Sequence, residues 1–518
     1  MDKYISKLEI KQNNLSKRKI KKQNEKFIKE ELINSKNLLD NINGYSLDYN
    51  QRIAVITNEE NNLVIAGAGS GKTLTIVGKV RYLIERLNID KSEILCISFT
   101  NDSVNSLKNA LLKNYNYDID VFTFHKLALN IIKDNNKNIS ICDSNTLEYI
   151  IDEFFYGKMP NLNMLEKENK DDYTQFKSLI ITFINLFKSN NYSVDKFNIF
   201  IKKCNNKKEY ILLKIIKIIY LEYQSELKSR CEVDFNDMIN EATNVIKNNG
   251  YIKKYKYIII DEYQDTSYTK YQLIKYIKGK TQAKLFVVGD DFQSIYRFTG
   301  CNLDIFLKFD KYYGYSKIMK IENTYRNSKE LIKVAGNFIM KNKKQMKKKL
   351  YSNKSNKKPI KIIYYKDIEK IFIKLITKIN TPILILGRNN KDVYKLLDDS
   401  FELLNDGSII YKNNIDIKMK YMTVHKSKGL EEENVIIINL ESGTLGFPSK
   451  IKNNEILRFV LNDKDIYPYE EERRLFYVAL TRTKNNVYLL VNKKKESIFV
   501  KELIKKYRFN IQIINELI

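Results

Sequence analysis

The sequence predicts an α/β protein of two parallel-sheet domains, the first interrupted by a helical insertion. Three observations predict it. Short, almost wholly apolar runs alternate with helical stretches from Leu63 onward, the texture of strands buried on both faces of a parallel sheet. The first such run leads into a glycine-rich turn that opens a helix. The alternation lapses over 126–230, where helical periodicity continues without comparable strands, as an inserted subdomain would read.

In chain order, 1–44 is polar and basic, with Leu32, Ile33, Leu38 and Leu39 near helical spacing. It reads as a weakly packed accessory helix or a frayed tail. Residues 45–125 hold the first strands, Leu63–Ala66 and Ile94–Phe99. Residues 126–233 form the insertion, with helices over Leu147–Phe155, Phe176–Phe187 and Tyr210–Leu227. Residues 234–312 return to the first domain with strands Tyr257–Ile260 and Leu285–Val288. Residues 313–518 form the second domain, with strands Ile318–Ile321, Pro382–Leu386, Met419–Val424, Val435–Leu440 and Val487–Val491. The basic stretch Lys341–Lys358 is a solvated helix face or a contact to a phosphate backbone.

Composition narrows the function. The chain has 518 residues, 43% hydrophobic and 12% aromatic, enough to build real cores and to exclude wholesale disorder. Lys and Arg number 90 against 62 Asp and Glu, a net charge of +28. That excess favours a polyanion, nucleic acid before an anionic membrane. Abundant Lys, Asn, Ile and Tyr with no Trp is also what compositional bias would write, so charge alone decides nothing. Five scattered cysteines and two histidines suggest neither a zinc site nor a disulfide framework. The charged N-terminus lacks a secretory signature, and no apolar stretch reaches spanning length. A soluble cytoplasmic protein is expected.

The run Leu63-Val-Ile-Ala-Gly-Ala-Gly-Ser-Gly-Lys-Thr73 is strand, glycine turn and helix start, a phosphate-binding loop spanning Ala66, Gly67, Ala68, Gly69, Ser70, Gly71, Lys72 and Thr73. Its glycines let backbone N–H groups surround phosphates, Lys72 supplies a cation, and the Thr73 hydroxyl can ligate Mg²⁺. Such a loop needs a second strand ending in acid. Tyr257-Ile-Ile-Ile-Asp-Glu262 supplies it, with Asp261 for Mg²⁺ and Glu262 for the attacking water. Charge developing on a transferred phosphoryl group also needs cations. Arg326 and Arg482 are the candidates, both far downstream, so a second domain must close on the nucleotide.

Several segments together carry a family likeness. They are Asn50-Gln51, Ser98-Phe-Thr-Asn101, Thr123-Phe-His-Lys126, Asp261-Glu-Tyr-Gln-Asp-Thr266, Val288-Gly-Asp-Asp-Phe-Gln-Ser-Ile-Tyr-Arg-Phe298, Asn323-Thr-Tyr-Arg326, Met422-Thr-Val-His-Lys-Ser-Lys-Gly-Leu430 and Glu471-Glu-Arg-Arg-Leu-Phe-Tyr-Val-Ala-Leu-Thr-Arg482. In this order they resemble superfamily 1A DNA helicases of the UvrD/Rep/PcrA type. Gly289-Asp-Asp-Phe-Gln-Ser-Ile-Tyr-Arg-Phe-Thr-Gly300 and Gly443-Thr-Leu-Gly-Phe-Pro448 tilt the resemblance to the helicase IV branch.

The resemblance implies two RecA-like domains and an ATP-dependent motor, 3′→5′ on single-stranded DNA, that unwinds tailed duplex using ATP and Mg²⁺. It implies that Gln51 reads the adenine edge, Tyr325 stacks on the base, Glu431 lies near the ribose, Gln293 senses the γ-phosphate, and Arg326 and Arg482 are arginine fingers. For single-stranded DNA it implies a track of Phe99, Asn101, Phe124, His125, Tyr296 and Phe298, joined by Arg388, Asn390, His425 and Lys428. Aromatic rings stack on any base and cations follow the backbone. For Phe99 and Phe124 core packing remains the equal alternative.

The chain also departs from its relatives. Phe298 and Thr299 stand where many carry Trp and Arg. Only about 30 residues separate Asn390 from Met422, so the large second-domain insertion of UvrD and PcrA is absent or minimal. Little follows the last strand, so no RecB-type nuclease domain is expected. Two rivals remain: a helicase-like ATPase associated with RNA polymerase, whose relatives carry a long N-terminal coiled-coil arm that 1–44 is expected to be too short to form, and the helicase-like subunit of a DNA defence system working beside a nuclease.

Overall fold

The computed structural model describes residues 19, 22–136, 138–158, 170–451, 454–461 and 467–514. The predicted N-terminal segment falls partly outside them. Its described part is helical over 22–34 and again over Lys36–Leu39. It is better packed than the sequence suggests: Leu39 and Ile42 are buried with Leu47 in the first domain's core, and Glu31 pairs with Arg86 at 2.8 Å.

The first sheet contains β1 (Asn61–Ala66), β2 (Ile94–Ser98), β3 (Asp120–Thr123), β6 (Tyr257–Ile260), β7 (Lys284–Gly289) and β8 (Lys317–Ile321), in the order β3-β2-β6-β7-β1-β8 and all parallel. Between β3 and β6 lies a separate short pair, β4 (Ser140–Ile141) and β5 (Glu232–Val233). Alternate residues of β1 serve opposite faces: Leu63 and Ile65 pack into one core, Val64 and Ala66 into the other. This two-sided burial is why the strand is continuously apolar.

Two sequence-based boundaries move. Ile318–Ile321, assigned above to the second domain, is β8 and pairs with β1 in the first sheet. An apolar run announces a strand but not its partner. The helix Phe124–Asp134 also belongs to the first domain. Its Leu127, Ala128, Ile131 and Ile132 join the core beneath β1 and β2, so the insertion begins only after it.

The insertion's core is built on helices Lys170–Ser189, Asp195–Ile201 and Lys207–Ser229. Phe187 stacks on Phe197 with centroids 4.3 Å apart. A second-domain segment enters this core: Ile456, Leu457 and Val460 pack with it, Arg458 pairs with Glu209, and the Asn190 amide donates to the Val460 carbonyl at 2.8 Å.

The second sheet contains β9 (Ile360–Tyr365), β10 (Ile383–Gly387), β11 (Phe401–Leu403), β12 (Ser408–Tyr411), β13 (Met419–Thr423), β14 (Glu432–Ile437), β15 (Thr483–Asn492) and β16 (Ile511–Ile514), in the order β11-β12-β13-β10-β14-β15-β9-β16. Only the β11-β12 and β12-β13 pairings are antiparallel. Between β10 and β13 the chain forms just a 3₁₀ turn, Asn390–Lys395, and the β11-β12 hairpin. The sheets meet closely, since Ala68 of the glycine turn shares a core cluster with Phe292, Ile295, Phe476 and Tyr477. No described helix is long and apolar enough to cross a membrane.

Lys341–Lys358 is neither a helix face nor wholly solvated. It runs as an irregular strap along the seam. Tyr351 N–H donates to the Glu322 carbonyl and Thr324 N–H donates back to Tyr351, both at 2.8 Å.

Candidate nucleotide and nucleic-acid site

The functional residues gather at the carboxyl ends of the first sheet's strands, where parallel α/β sheets place ligands. The glycine turn follows β1 and leads into the helix Lys72–Arg81. Gly69 and Gly71 have φ of +67° and +76°, the left-handed region that suits glycine. A methyl at Gly69 would also lie 2.4 Å from Arg326 Cβ, and one at Gly67 2.4 Å from Leu350 Cδ2. The Ser70 hydroxyl is buried without a hydrogen-bond partner. Lys72 opens the helix and forms an ion pair with Glu262. Thr73 is exposed on the same turn.

Asp261 and Glu262 follow β6. Glu262 has φ +49°, a strained backbone for a non-glycine residue and a common mark of functional sites. Burial and the Glu262 charge raise Asp261 above the usual carboxylate range. Burial would raise Glu262 as well, but Lys72 and Lys428 prevail and hold it low. Thr73 and Asp261 offer hard oxygen donors of the kind Mg²⁺ takes.

Gln293 follows β7. Its Nε2 donates to Asp290 at 2.6 Å, and its Oε1 accepts from Arg482 Nη2 at 3.1 Å. Arg482, 1% exposed, also donates to the carbonyls of Val478 at 3.1 Å and Leu430 at 3.2 Å. Burial and the like charge of Arg326 pull it down to about 9. Arg326 pairs with the partly exposed Glu431 and donates to the Thr481 carbonyl at 3.3 Å. Tyr325 N–H donates to Gly69 O at 2.9 Å, which fastens this segment to the turn. Lys72 and Glu262 thus pair on the first-domain side, Arg482 reaches across the seam to Gln293, and Arg326, just beyond β8, reaches Glu431 and the Thr481 carbonyl of the second domain.

Gln51, 1% exposed, has both ends of its amide engaged. Nε2 donates to Ser70 O at 3.0 Å, and Oε1 accepts from Asp48 N at 2.9 Å. Asp48 also accepts from Tyr325 Oη at 2.8 Å. The exposed ring of Tyr325 therefore stands beside Gln51.

The predicted track divides. Phe298 is 55% exposed and meets the His425 ring edge to face, centroids 5.6 Å apart. Tyr296 Oη donates to the His425 carbonyl at 3.0 Å. Burial lowers His125 and His425 to about 4, helped at His125 by Lys270 and at His425 by Arg388 and Lys428. Both present neutral rings at neutral pH. Phe99 is half-buried, Asn101 is exposed as the first residue of the helix Asn101–Tyr115, and Asn390 is exposed at the start of the 3₁₀ turn Asn390–Lys395.

Three track residues are placed otherwise. Phe124 is 1% exposed and belongs to the core. A ring without a free face supports Phe99, at 5.2 Å, rather than meeting a base. Lys428 turns to the acids: it pairs with Asp265, lies 3.9 Å from Glu262, and donates to Gln293 O at 2.8 Å. Arg388 forks onto Glu472 at 2.8 Å.

Sequence reasoning missed other residues. Phe235 is exposed and 5.1 Å from the His125 ring. Its signal was an aromatic between acids in Val233-Asp-Phe-Asn-Asp237. Lys270 lies 4.6 Å from the Phe99 ring. Gln264 links Glu262 to the Asp290 backbone and was visible inside a quoted motif.

Comparison with known proteins decides the family. The UvrD/REP helicase N-terminal domain family matches residues 47–314, and the UvrD-like helicase C-terminal domain family matches 389–494. This chain belongs to the UvrD/Rep helicase family. Among curated family members, DNA helicase IV of Escherichia coli is 28% identical over 88% of this chain and 69% of its own length. ATP-dependent DNA helicase Rep of Buchnera aphidicola subsp. Schizaphis graminum is 27% identical over 90% and 74%. ATP-dependent DNA helicase PcrA of Bacillus subtilis is 29% identical over 61% and 42%.

Proposed function

We propose that the chain is an ATP-dependent DNA helicase that moves 3′→5′ on single-stranded DNA and unwinds tailed duplex. The observation that carries this reading is that the Lys72–Glu262 pair, the Gln293–Arg482 bond and the contact of Arg326 with the Thr481 carbonyl meet at one seam, with Lys428 of the second domain 3.9 Å from Glu262 and donating to Gln293 O at 2.8 Å. A triphosphate entering there takes Lys72 from Glu262, which frees the carboxylate to orient the attacking water. Arg326 and Arg482 face the charge that develops as the γ-phosphoryl group transfers. Mg²⁺, held by Thr73 and Asp261, would neutralise phosphate oxygens. Gln51 and Tyr325 select adenine by edge and face.

Phe298, His425, Tyr296, Phe99 and Phe235 present rings along the seam's outer edge, where bases stack without regard to sequence. Lys428 and Gln293 tie that edge to the acids, so strand grip and hydrolysis share residues. The test is strand displacement on 3′-tailed and 5′-tailed duplexes with and without ATP. The reading expects ATP-dependent displacement of the 3′-tailed substrate. Displacement of neither, or displacement without ATP, contradicts it.

A further inference from the structure

The strap contains many lysines, and Lys348 is treated unlike its exposed neighbours Lys347 and Lys349. Its side chain is 1% exposed and lies between Asp290 and Asp291, both fully buried. The ammonium pairs with Asp290, lies 2.8 Å from Asp291 Oδ1, and sits 3.7 Å above the Phe292 ring. Each carboxylate has a further duty. Asp291 Oδ2 accepts from Met346 N at 2.8 Å. Asp290 Oδ2 accepts from the side-chain amide of Gln293 at 2.6 Å. The same Gln293 amide accepts from Arg482 on its other end.

We propose that Lys348 is a positioning residue that holds Gln293 in place through Asp290 during ATP turnover. The proposal rests on the nucleotide-site reading above and adds a residue from outside the motifs that define it. The physical reason is charge. Two buried carboxylates side by side are stable only when paired. Without the ammonium, Asp290 takes up a proton or turns away, and in either state it grips the Gln293 amide less well. Gln293 then no longer presents its oxygen squarely to Arg482. The strap itself is fastened elsewhere, by the backbone bonds of Tyr351 and by Lys329 N to Lys354 O at 2.9 Å. Loss of the ammonium therefore leaves its path in place.

The experiment measures kcat and KM of DNA-stimulated ATP hydrolysis in the full chain and in Lys348→Met, Gln293→Ala, the two combined, and Lys72→Ala. Lys348→Met should lower kcat by about tenfold or more and leave KM within about threefold. The combined variant should be no slower than Gln293→Ala alone, because both changes break one linkage. A kcat within about twofold of the parent, or losses that multiply, overturns the proposal. Should Lys348→Met fail to fold, Lys348→Met with Asp291→Asn keeps the cluster's net charge and Asp290. The same kcat loss is expected there, and parental turnover overturns the proposal. If Lys72→Ala is inactive while Lys348→Met is normal, this proposal fails and the nucleotide site stands. If Lys72→Ala still turns over ATP, the nucleotide-site reading itself fails.

Discussion

The side-chain oxygen of Gln293, at the end of the first sheet, accepts a 3.1 Å hydrogen bond from Nη2 of Arg482, just beyond the second-domain helix Glu470–Leu480. It joins the two sheets directly, between fully buried partners. Gln293→Ala leaves that guanidinium arm without its side-chain acceptor, a loss of about 1–3 kcal/mol for a buried donor. DNA-stimulated ATPase should fall by about tenfold or more at saturating ATP. ATP binding, followed with a fluorescent analogue, should change little, since Lys72 and the glycine turn are untouched.

The aromatic track makes a paired prediction. Phe298→Ala removes an exposed stacking face and should weaken single-stranded DNA binding by about 1–3 kcal/mol, similarly for different sequences. Its thermal midpoint should stay near the parent's. Phe124→Ala opens the core and should lower stability by about 3–5 kcal/mol. Equilibrium binding and thermal denaturation of both variants separate the two roles.

That contrast shows where the sequence was informative. The glycine turn and the Asp261-Glu262 pair were legible because their chemistry is local: strand, turn and charged residue are contiguous. Phe99 and Phe124 look alike in sequence, and only the packing of the helix Phe124–Asp134 decides which ring is covered. Ile318–Ile321 reads as a strand, yet its partner β1 lies some two hundred and fifty residues earlier, so its sheet was misassigned. Strands β11, β12 and β16 are short and partly exposed and give little apolar signal. Lys348 was hidden for the same nonlocal reason, because its burial depends on acids 58 and 57 positions upstream.

Stability should carry a pH signature from Lys79. Its ammonium is buried against the carbonyls of Val55 at 2.9 Å and Thr57 at 2.7 Å. Burial, with a smaller push from Lys284, pulls it from 10.5 to about 7. Between those values the unfolded chain holds one proton more, so this group adds stability as pH rises through the window and takes it away as pH falls toward 7. Urea midpoints at pH 7.5 and 9 should therefore rise more steeply in the parent than in Lys79→Met. Identical slopes would contradict the assignment.

The second-domain segment that enters the insertion should matter for DNA retention. Arg458 pairs with Glu209, and Phe459 lies 5.2 Å from Phe200. Replacing both by alanine undocks the segment and loosens the insertion against the second domain. Single-stranded DNA should then dissociate about three- to tenfold faster, equivalent to about 1 kcal/mol, with ATPase at saturating DNA preserved. Stopped-flow release into a competitor strand measures this.

The account depends most on two distant arginines acting on one triphosphate. The most direct measurement is single-turnover ATP hydrolysis by Arg326→Ala and Arg482→Ala with DNA saturating. Each should slow the chemical step by about a hundredfold or more while ATP still binds. A parental hydrolysis rate in either variant would contradict it.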